Sequence, residues 1–412
     1  MQSDRSEQRD QIADRILQGA EVRARMAVID FQFACPTRII FGCGRISELG
    51  REVADLAAQR VLLVTDEGLV QTGIADRVRS ILCGAGLEVE MFAAVTANPR
   101  DADCRAAADA ALAAEAQAIV GLGGGSALDT AKAASALVTN GGMVKTWEDP
   151  RRLEQPPLPT VCVPTTAGTG AEVTFVAVIT DEANHYKMTL LDTKIAPRVA
   201  LIDPELTYSL PPQLTAATGI DALAHAIECY TCRVAQPISD ALAISAVRLI
   251  ASALPTATAD GTNAEARTAM ALGSVMAGMA FGNADVGAVH CMAESVGGLF
   301  DTPHGLAVAA FLPVVTEYNS IADPAKHADI ARALGVEATG LTDLEAAQRG
   351  VEALGDLVRS LGLPRLRDLI SVEPGDLVRL AHMADQHVCS PDNTRAANAD
   401  DYLQLFQRAY QD

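Results

Sequence analysis

The chain has 412 residues, of which 49% are hydrophobic and only 4% aromatic, and its formal net charge at pH 7 is -20. This length predicts two domains, and cores made of Ala, Leu and Val favour helices and buried parallel strands over an aromatic-rich β-sandwich. The acidic balance argues against nucleic acid and against an anionic membrane surface as partners.

The N-terminal extension, residues 1–26, lacks the apolar centre of a signal peptide. A short amphipathic helix, a disordered tail and a start site upstream of Met26 all stay open for it. No apolar run is expected to reach the length of a membrane span. The nine scattered cysteines indicate reduced thiols and a cytoplasmic protein. Cys229 and Cys232 have a C-x-x-C spacing without a second pair, so we interpret them as helix-face residues rather than a zinc or redox site.

Residues 27–210 alternate short apolar runs with helical patterns. Strands are predicted at 60–66, 87–93 and 117–125 and in "TVCVP", and helices over 72–86, 100–116 and 126–140. Strands separated by helices of this length are typical of a parallel, Rossmann-like α/β sheet. This segment is therefore predicted to be an α/β domain.

Residues 211–412 follow a different pattern. The stretch 202–214 carries three prolines and is predicted to join the two domains. Helical periodicity then dominates, with helices predicted near 214–232, 236–255, 263–282, 285–299 and 305–318. The second half is predicted to be all-helical.

A glycine loop follows the strand that ends near Gly123. "VGLGGGSALDTAK" places three glycines where a backbone can approach a ligand closely, and Ser126 is expected to cap the next helix. The amides at that helix N-terminus suit an anion such as a diphosphate. The loop departs from G-x-G-x-x-G at Ser126, and a tight turn with no ligand stays open.

Two further polar segments follow predicted strands. Asp66 ends a buried strand, where a carboxylate can accept hydrogen bonds from the ribose of NAD and repel the extra phosphate of NADP. Capping of the following helix is the alternative role for Asp66. "PTTAGTGAEVT" (164–174) is a hydroxyl-rich loop that suits a polar ligand, although a structural turn stays open.

Histidines and one aspartate give a metal-ligand pattern in the helical half. Asp221 and His225 are four residues apart, on one face of a helix. His290 lies in a later helix, and His304 is predicted to sit in a loop forced by Pro303 and Gly305. One carboxylate with three imidazoles suits Fe(II) or Zn(II). The other histidines are expected to lie mostly at the surface, with His387 of interest because Cys389 is near.

Five segments, in this order, resemble the iron-containing alcohol dehydrogenase family. They are "GGGSALDTAKA", "PTTAGTGAEVT", "TGIDALAHAIE", "VHCMAESVGG" and "DTPHGLAVAAFLP", and the resemblance runs from about Ile29 to the C-terminus. It implies a dehydroquinate synthase-like architecture, in which an α/β domain holds NAD(P) and a helical domain holds one divalent metal. It also implies a homodimer or a larger homo-oligomer.

The resemblance also implies the site residues. The metal ligands would be Asp221, His225, His290 and His304, with Fe(II) expected and Zn(II) as the alternative. The cofactor residues would be Asp66, Asn98, Gly124, Gly125, Ser126, Asp129, Thr165, Thr166, Thr174 and Lys187.

Catalysis is assigned to His304 and Glu294. Many family members carry a second histidine in an H-x-x-x-H motif, where this chain has Glu294. Glu294 is therefore expected to relay protons, to ligate the metal, or to act only in structure or specificity.

The expected function is a metal-dependent alcohol dehydrogenase or aldehyde reductase that transfers hydride between NAD and a small alcohol, a diol or the corresponding aldehyde. A hydroxyacid–oxoacid transhydrogenase and a maleylacetate-reductase-like member are the alternatives within enzymes. A metal-binding paralogue without turnover is the alternative outside them.

Overall fold

The computed structural model of the protein describes residues 30–411, so the predicted extension at 1–26 lies outside the described residues. Contacts divide the chain between Ala34 and Cys35, and the architecture below belongs to the unit that begins at Cys35.

A six-stranded parallel sheet forms the centre of the N-terminal part. Its strand order is β1-β8-β5-β4-β2-β3, and every neighbouring pair is parallel. Strands β4 and β5 are buried along their whole length, which is why they are continuous runs of apolar residues. The strands are β1 (Arg38–Phe41), β2 (Arg60–Val64), β3 (Glu88–Phe92), β4 (Ala118–Gly123), β5 (Thr160–Pro164) and β8 (Val199–Ile202).

Helices cover both faces of this sheet. In β2, Leu62 and Val64 pack into one apolar cluster, while Val61 and Leu63 pack into another on the opposite face. The predicted α/β fold class and its Rossmann-like sheet are confirmed. The helices are α1 (Leu49–Ala54), α2 (Glu67–Gln71), α3 (Ile74–Gly84), α4 (Asp101–Ala113) and α5 (Gly125–Asn140).

An antiparallel hairpin stands outside the parallel sheet and was not predicted. It pairs β6 (Val176–Asp181) with β7 (Tyr186–Leu191). Asp181 accepts a hydrogen bond from the backbone N–H of Asn184, which stabilises the turn between the two strands. Short 3-10 turns lie at Arg45–Glu48, Val144–Trp147, Thr193–Ile195, Pro204–Thr207 and Ser390–Asp392.

The C-terminal part is helical, as predicted, and its helices share one large apolar core rich in alanine. The five expected helices are present with boundaries shifted by a few residues. The helices are α6 (Pro212–Thr231), α7 (Pro237–Ala259), α8 (Ala264–Phe281), α9 (Ala288–Phe300), α10 (His304–Ser320), α11 (Pro324–Ala333), α12 (Asp343–Ser360), α13 (Leu366–Leu369), α14 (Asp376–Asp385) and α15 (Ala399–Gln411).

Helix α7 corrects one expectation. It is long and apolar enough, by length and composition alone, to cross a membrane, so the expectation that no apolar run reaches this length is wrong. Its buried residues, among them Val247, Ile250 and Leu254, pack into the helical core. A core helix passes the same test of length and composition.

Candidate metal and cofactor site

A cavity of about 400 Å³ brings the two halves of the sequence together. Gly125 and Ser126 of the glycine loop line one side of it, and His225, His290 and His304 line another. The cavity is also lined by Asp129, Thr174, Lys187 and Asn98.

Three helices supply the predicted metal ligands. Asp221 and His225 lie on α6, His290 lies in the first turn of α9, and His304 is the first residue of α10. The expectation that His304 sits in a loop is wrong. Pro303, with φ -56°, is the N-cap of α10 and leads the chain directly into the helix.

The four side chains converge on Asp221. Its Oδ1 lies 3.3 Å from His304 Nε2, 3.6 Å from His290 Nε2 and 3.9 Å from His225 Nδ1. The ligand atoms of Asp221, His290 and His304 all lie within 4.8 Å of one another. His225 stacks its ring on His290, with the ring centroids 4.3 Å apart.

The polar atoms of this set fit a divalent cation. Asp221 Oδ1, His225 Nδ1 and His290 Nε2 are buried without a hydrogen-bond partner among the described residues, a costly state unless a bound group satisfies them. Burial lowers the pKa of His225 to about 3, which keeps that imidazole neutral, as metal binding requires.

Glu228 orients one of these ligands, and the sequence analysis missed it. It is buried on α6, where its carboxylate accepts hydrogen bonds from the backbone N–H of Val289 at 2.7 Å and from Nδ1 of His290 at 2.5 Å. With the proton on Nδ1, Nε2 of His290 is free to face Asp221. The signal was present, since Glu228 follows Asp221 by seven residues, two helical turns on the same face.

The glycine loop lies at the carboxyl end of β4, and α5 begins at Gly125 with Gly124 as its N-cap. Ser126 therefore lies inside the helix rather than at the N-cap, and no side chain caps this helix. The expectation that Ser126 caps the helix is wrong, because the extended backbone of Gly124 already fills that position. The uncapped amides are free for an anion.

Asp66 lies beside this loop because β2 and β4 are neighbours in the sheet. Its Oδ1 accepts a hydrogen bond from the backbone N–H of Leu69 and caps α2. A Cβ at Gly123 would lie 3.4 Å from its Oδ2, so that oxygen faces the loop. The structure shows the capping role of Oδ1 and leaves Oδ2 facing the glycine loop.

The threonine segment packs against the glycine loop. A Cβ at Gly124 would lie 3.3 Å from Thr166, and the backbone N–H of Thr165 donates to Gly123. Thr174 is buried and accepts a hydrogen bond from Lys132, whose ammonium group also donates to the backbone oxygens of Ala171 and Val176 and pairs with Asp129. The buried lysine thus holds this segment in place beside α5.

Asn98 contacts the helical half directly. Its side-chain amide donates to Asp301 Oδ1 at 3.0 Å and, more weakly, to the backbone oxygen of Thr302 at 3.4 Å. Arg100 pairs with the same aspartate at 3.3 Å. Asn98 and Asp301 both have positive φ angles, 51° and 52°, a region in which Asn and Asp are enriched.

Glu294 pairs with His387. His387 Nε2 lies 2.9 Å from Glu294 Oε2, and the two side chains are 15% and 11% exposed. The expectation that the remaining histidines lie mostly at the surface is wrong for His387 and for the buried His327. Glu294 lies outside the cluster formed by the ligand atoms of Asp221, His290 and His304.

A second cavity of about 340 Å³ lies beyond this pair. Glu294, His387 and Lys187 line both cavities, while Tyr186 and Met383 line only the second. The Glu294–His387 pair therefore belongs to the lining that the two cavities share.

Comparison with known proteins places the chain in a family. The family model for iron-containing alcohol dehydrogenase matches residues 36–204, and the model for the C-terminal part of the Fe-containing alcohol dehydrogenase family matches residues 215–410. The chain belongs to the iron-containing alcohol dehydrogenase family, and it is an oxidoreductase of that enzyme class.

Individual relatives match over nearly their full length. The chain is 39% identical to the NAD-dependent methanol dehydrogenase of Bacillus methanolicus, over 92% of this chain and 99% of that protein. It is 40% identical to the 1,3-propanediol dehydrogenase of Klebsiella pneumoniae, with the same coverage. A crystal structure of a 1,3-propanediol oxidoreductase superposes with a TM-score of 0.90, at 40% identity, over 92% of this chain and 100% of that one.

Proposed function

We propose that the protein is an NAD-dependent, metal-dependent alcohol dehydrogenase that also reduces aldehydes. The observation that carries the proposal is the shared cavity, whose wall contains both the glycine loop and the histidines of the metal cluster. The relatives named above act on methanol and 1,3-propanediol, which supports small alcohols, diols and their aldehydes as substrates. These relatives do not favour the transhydrogenase or maleylacetate-reductase alternatives.

The cofactor would be held by residues at the carboxyl ends of β2 and β4. Its diphosphate would meet the free amides of Gly124 and Gly125, and its adenosine ribose would meet Asp66. The carboxylate disfavours a 2′-phosphate, so we propose NAD rather than NADP. Around this position we assign Asn98, Ser126, Asp129, Thr165, Thr166, Thr174 and Lys187 to the cofactor.

The proposed metal would be held by Asp221, His225, His290 and His304, with Fe(II) as the family suggests and Zn(II) as the alternative. A divalent cation there supplies the polarisation of an alcohol or carbonyl oxygen and lowers the pKa of the alcohol. The chain's own residues do the rest. The residues that line the cavity would orient a small substrate between the metal cluster and the glycine loop, where bound NAD would serve as the hydride acceptor.

Glu294 is the proposed proton acceptor in alcohol oxidation. Burial raises the pKa of Glu294, but His387 outweighs it, with smaller effects from Lys187 and His304, so the pKa lies below its usual range. The carboxylate is therefore ionised at neutral pH and faces the cleft. In alcohol oxidation Glu294 would accept the hydroxyl proton, and bound NAD would serve as the hydride acceptor.

We also propose a cytoplasmic location and a homodimer or larger homo-oligomer, on the strength of the family resemblance. The α/β part at 27–210 and the helical part at 211–412 are proposed as the two domains, with 1–26 as an extension.

The proposal is tested by metal analysis together with a panel of small alcohols and aldehydes, assayed separately with NADH and NADPH in the reductive direction. We expect one divalent ion per chain, turnover of short alcohols or aldehydes, and a preference for NADH. A fully active protein without metal would contradict the metal site, and a preference for NADPH would contradict the role of Asp66. Activity without added NAD would favour the transhydrogenase alternative.

A further inference from the structure

His387 is held at both ring nitrogens. The backbone N–H of Cys389 lies 3.3 Å from its Nδ1, and Glu294 Oε2 lies 2.9 Å from its Nε2. A backbone N–H can only donate, so Nδ1 is the acceptor. The hydrogen-bond network therefore places a ring hydrogen on Nε2, where it is directed at the Glu294 carboxylate.

Few groups other than His387 contact the Glu294 carboxylate. It follows His290 by one helical turn on α9, and its side chain is 11% exposed. The other titratable side chains that act on it are those of Lys187 on β7 and His304 at the start of α10. Among the described residues, His387 is the group that hydrogen-bonds to its carboxylate.

We propose that His387 is the positioning residue for Glu294. Through a hydrogen bond from Nε2–H to Oε2, it fixes the carboxylate in the lining shared by the two cavities, where Glu294 would accept the substrate proton. This role rests on the proposed function above. In this scheme the substrate proton passes to Glu294 and not to His387, because Nε2 of His387 already carries the hydrogen that it donates to Glu294.

The pair could instead have a merely structural role. In that role, the hydrogen bond would connect α9 to the chain after α14, and its loss would lower stability without acting through Glu294. The two roles differ in how substitutions at the two positions combine, because residues that act as one unit give non-additive losses.

The test compares H387L, H387N and H387Q in steady-state kinetics. Leu cannot donate, and the amide of Asn falls short of the Nε2 position, whereas the amide nitrogen of Gln can occupy it. We expect H387L and H387N to lower kcat by roughly 10- to 100-fold, as small misplacements of a catalytic group do, with KM nearly unchanged. H387Q should recover most of that loss, and H387N serves as the second loss variant if H387L does not fold.

The decisive arm repeats H387L in the E294Q background. We expect no further loss there, because Glu294 has already been replaced. Equal losses in both backgrounds, no loss in H387L, or failure of H387Q to recover activity would each overturn the proposal. Metal content and NAD binding are measured for every variant, and the exposed His382 on α14 gives the matched control, H382L, which should resemble the wild type.

Failure of the proposed function has a different signature. A folded wild-type protein that binds metal but does not turn over any alcohol or aldehyde with NAD(H) would contradict that function. If the wild type is active and H387L has the same kcat, only the positioning role is contradicted.

Discussion

Replacing Glu228 with Gln should weaken metal binding while leaving the metal-free protein folded. The carboxylate accepts two hydrogen bonds, from the Val289 backbone N–H at 2.7 Å and from His290 Nδ1 at 2.5 Å. Gln has one acceptor oxygen and one NH₂ group, so only one of those donors can keep an acceptor. The backbone amide cannot change, whereas the imidazole can move its proton from Nδ1 to Nε2.

The expected loss of metal affinity depends on which of the two donors the Gln oxygen accepts from. With the Gln oxygen on Val289, its NH₂ group faces Nδ1 of His290 and forces the proton onto Nε2, the nitrogen that faces Asp221 at 3.6 Å. A protonated Nε2 is not a ligand, so metal binding must first reverse the tautomer. We expect a loss of about 10- to 100-fold in metal affinity, the range for groups that orient a metal-ligating histidine, which is about 1.4–2.7 kcal/mol.

The assay is competition of the purified protein with a zinc chelator, paired with chemical unfolding of the metal-free protein. E228Q should lose metal affinity and change the free energy of unfolding by less than about 1 kcal/mol, because no buried N–H is left without a partner. E228A should also destabilise the metal-free protein, and the exposed E265Q serves as the surface control. Wild-type metal affinity in E228Q would refute the reasoning.

Four other predictions follow from the site and the packing. D66N keeps a side-chain oxygen that can cap α2 but removes the charge, so the ratio of kcat/KM for NADP to that for NAD should rise by roughly tenfold, about 1.4 kcal/mol; an unchanged ratio in steady-state assays would remove Asp66 from the cofactor site. E294Q should retain metal and NAD but lose about 10²- to 10⁴-fold in kcat, as general acid–base groups do; weaker metal binding would instead make Glu294 a ligand, and wild-type values would make it structural. G170A should destabilise the protein by about 1–3 kcal/mol in urea unfolding, because a Cβ at this position, with φ +60°, would lie 2.6 Å from the backbone of Gly278. The control G335A, where φ is +91° and no atom lies within 4 Å of the added Cβ, should lower the free energy of unfolding by less. Equal losses in the two variants would exclude crowding against Gly278 as the cause. Metal removal should lower the midpoint of thermal unfolding, since a ligand at 100 times its Kd stabilises the folded state by about 2.7 kcal/mol, and an unchanged midpoint would argue against a buried metal site.

The sheet and the spacing of two proposed metal ligands were predictable because short sequence intervals encode them. The buried strands are continuous apolar runs separated by helical patterns, one of which, α3, ends at Gly84, so the α/β alternation is visible in residues 60–140. Asp221 and His225 are one helical turn apart, a spacing that a helix alone brings onto one face. His290 and His304, which lie on two other helices, were added because the chain has few histidines, and the family resemblance implied the same four residues.

Other features depend on contacts that the sequence does not show. His387 meets Glu294 across 93 positions of the chain, from a segment with no spacing rule that connects the two residues. The β6–β7 hairpin has no Asn-Gly or Asp-Gly pair at its turn, and His185 there adopts a positive φ of 55°. The boundary of α10 was misplaced because Pro303 and Gly305 suggest a loop, whereas proline also stabilises the first turn of a helix.

The contact between Asn98 and Asp301 limits how this protein can be recombined with its relatives. The hydrogen bond and the Arg100 ion pair are partly exposed, so each contributes little to stability. Both backbones are nevertheless left-handed, a conformation that β-branched residues adopt only with strain. A chimera that takes the first half from one relative and the second half from another should therefore exchange positions 98 and 301 together, as one inherited unit, even though 203 positions separate them.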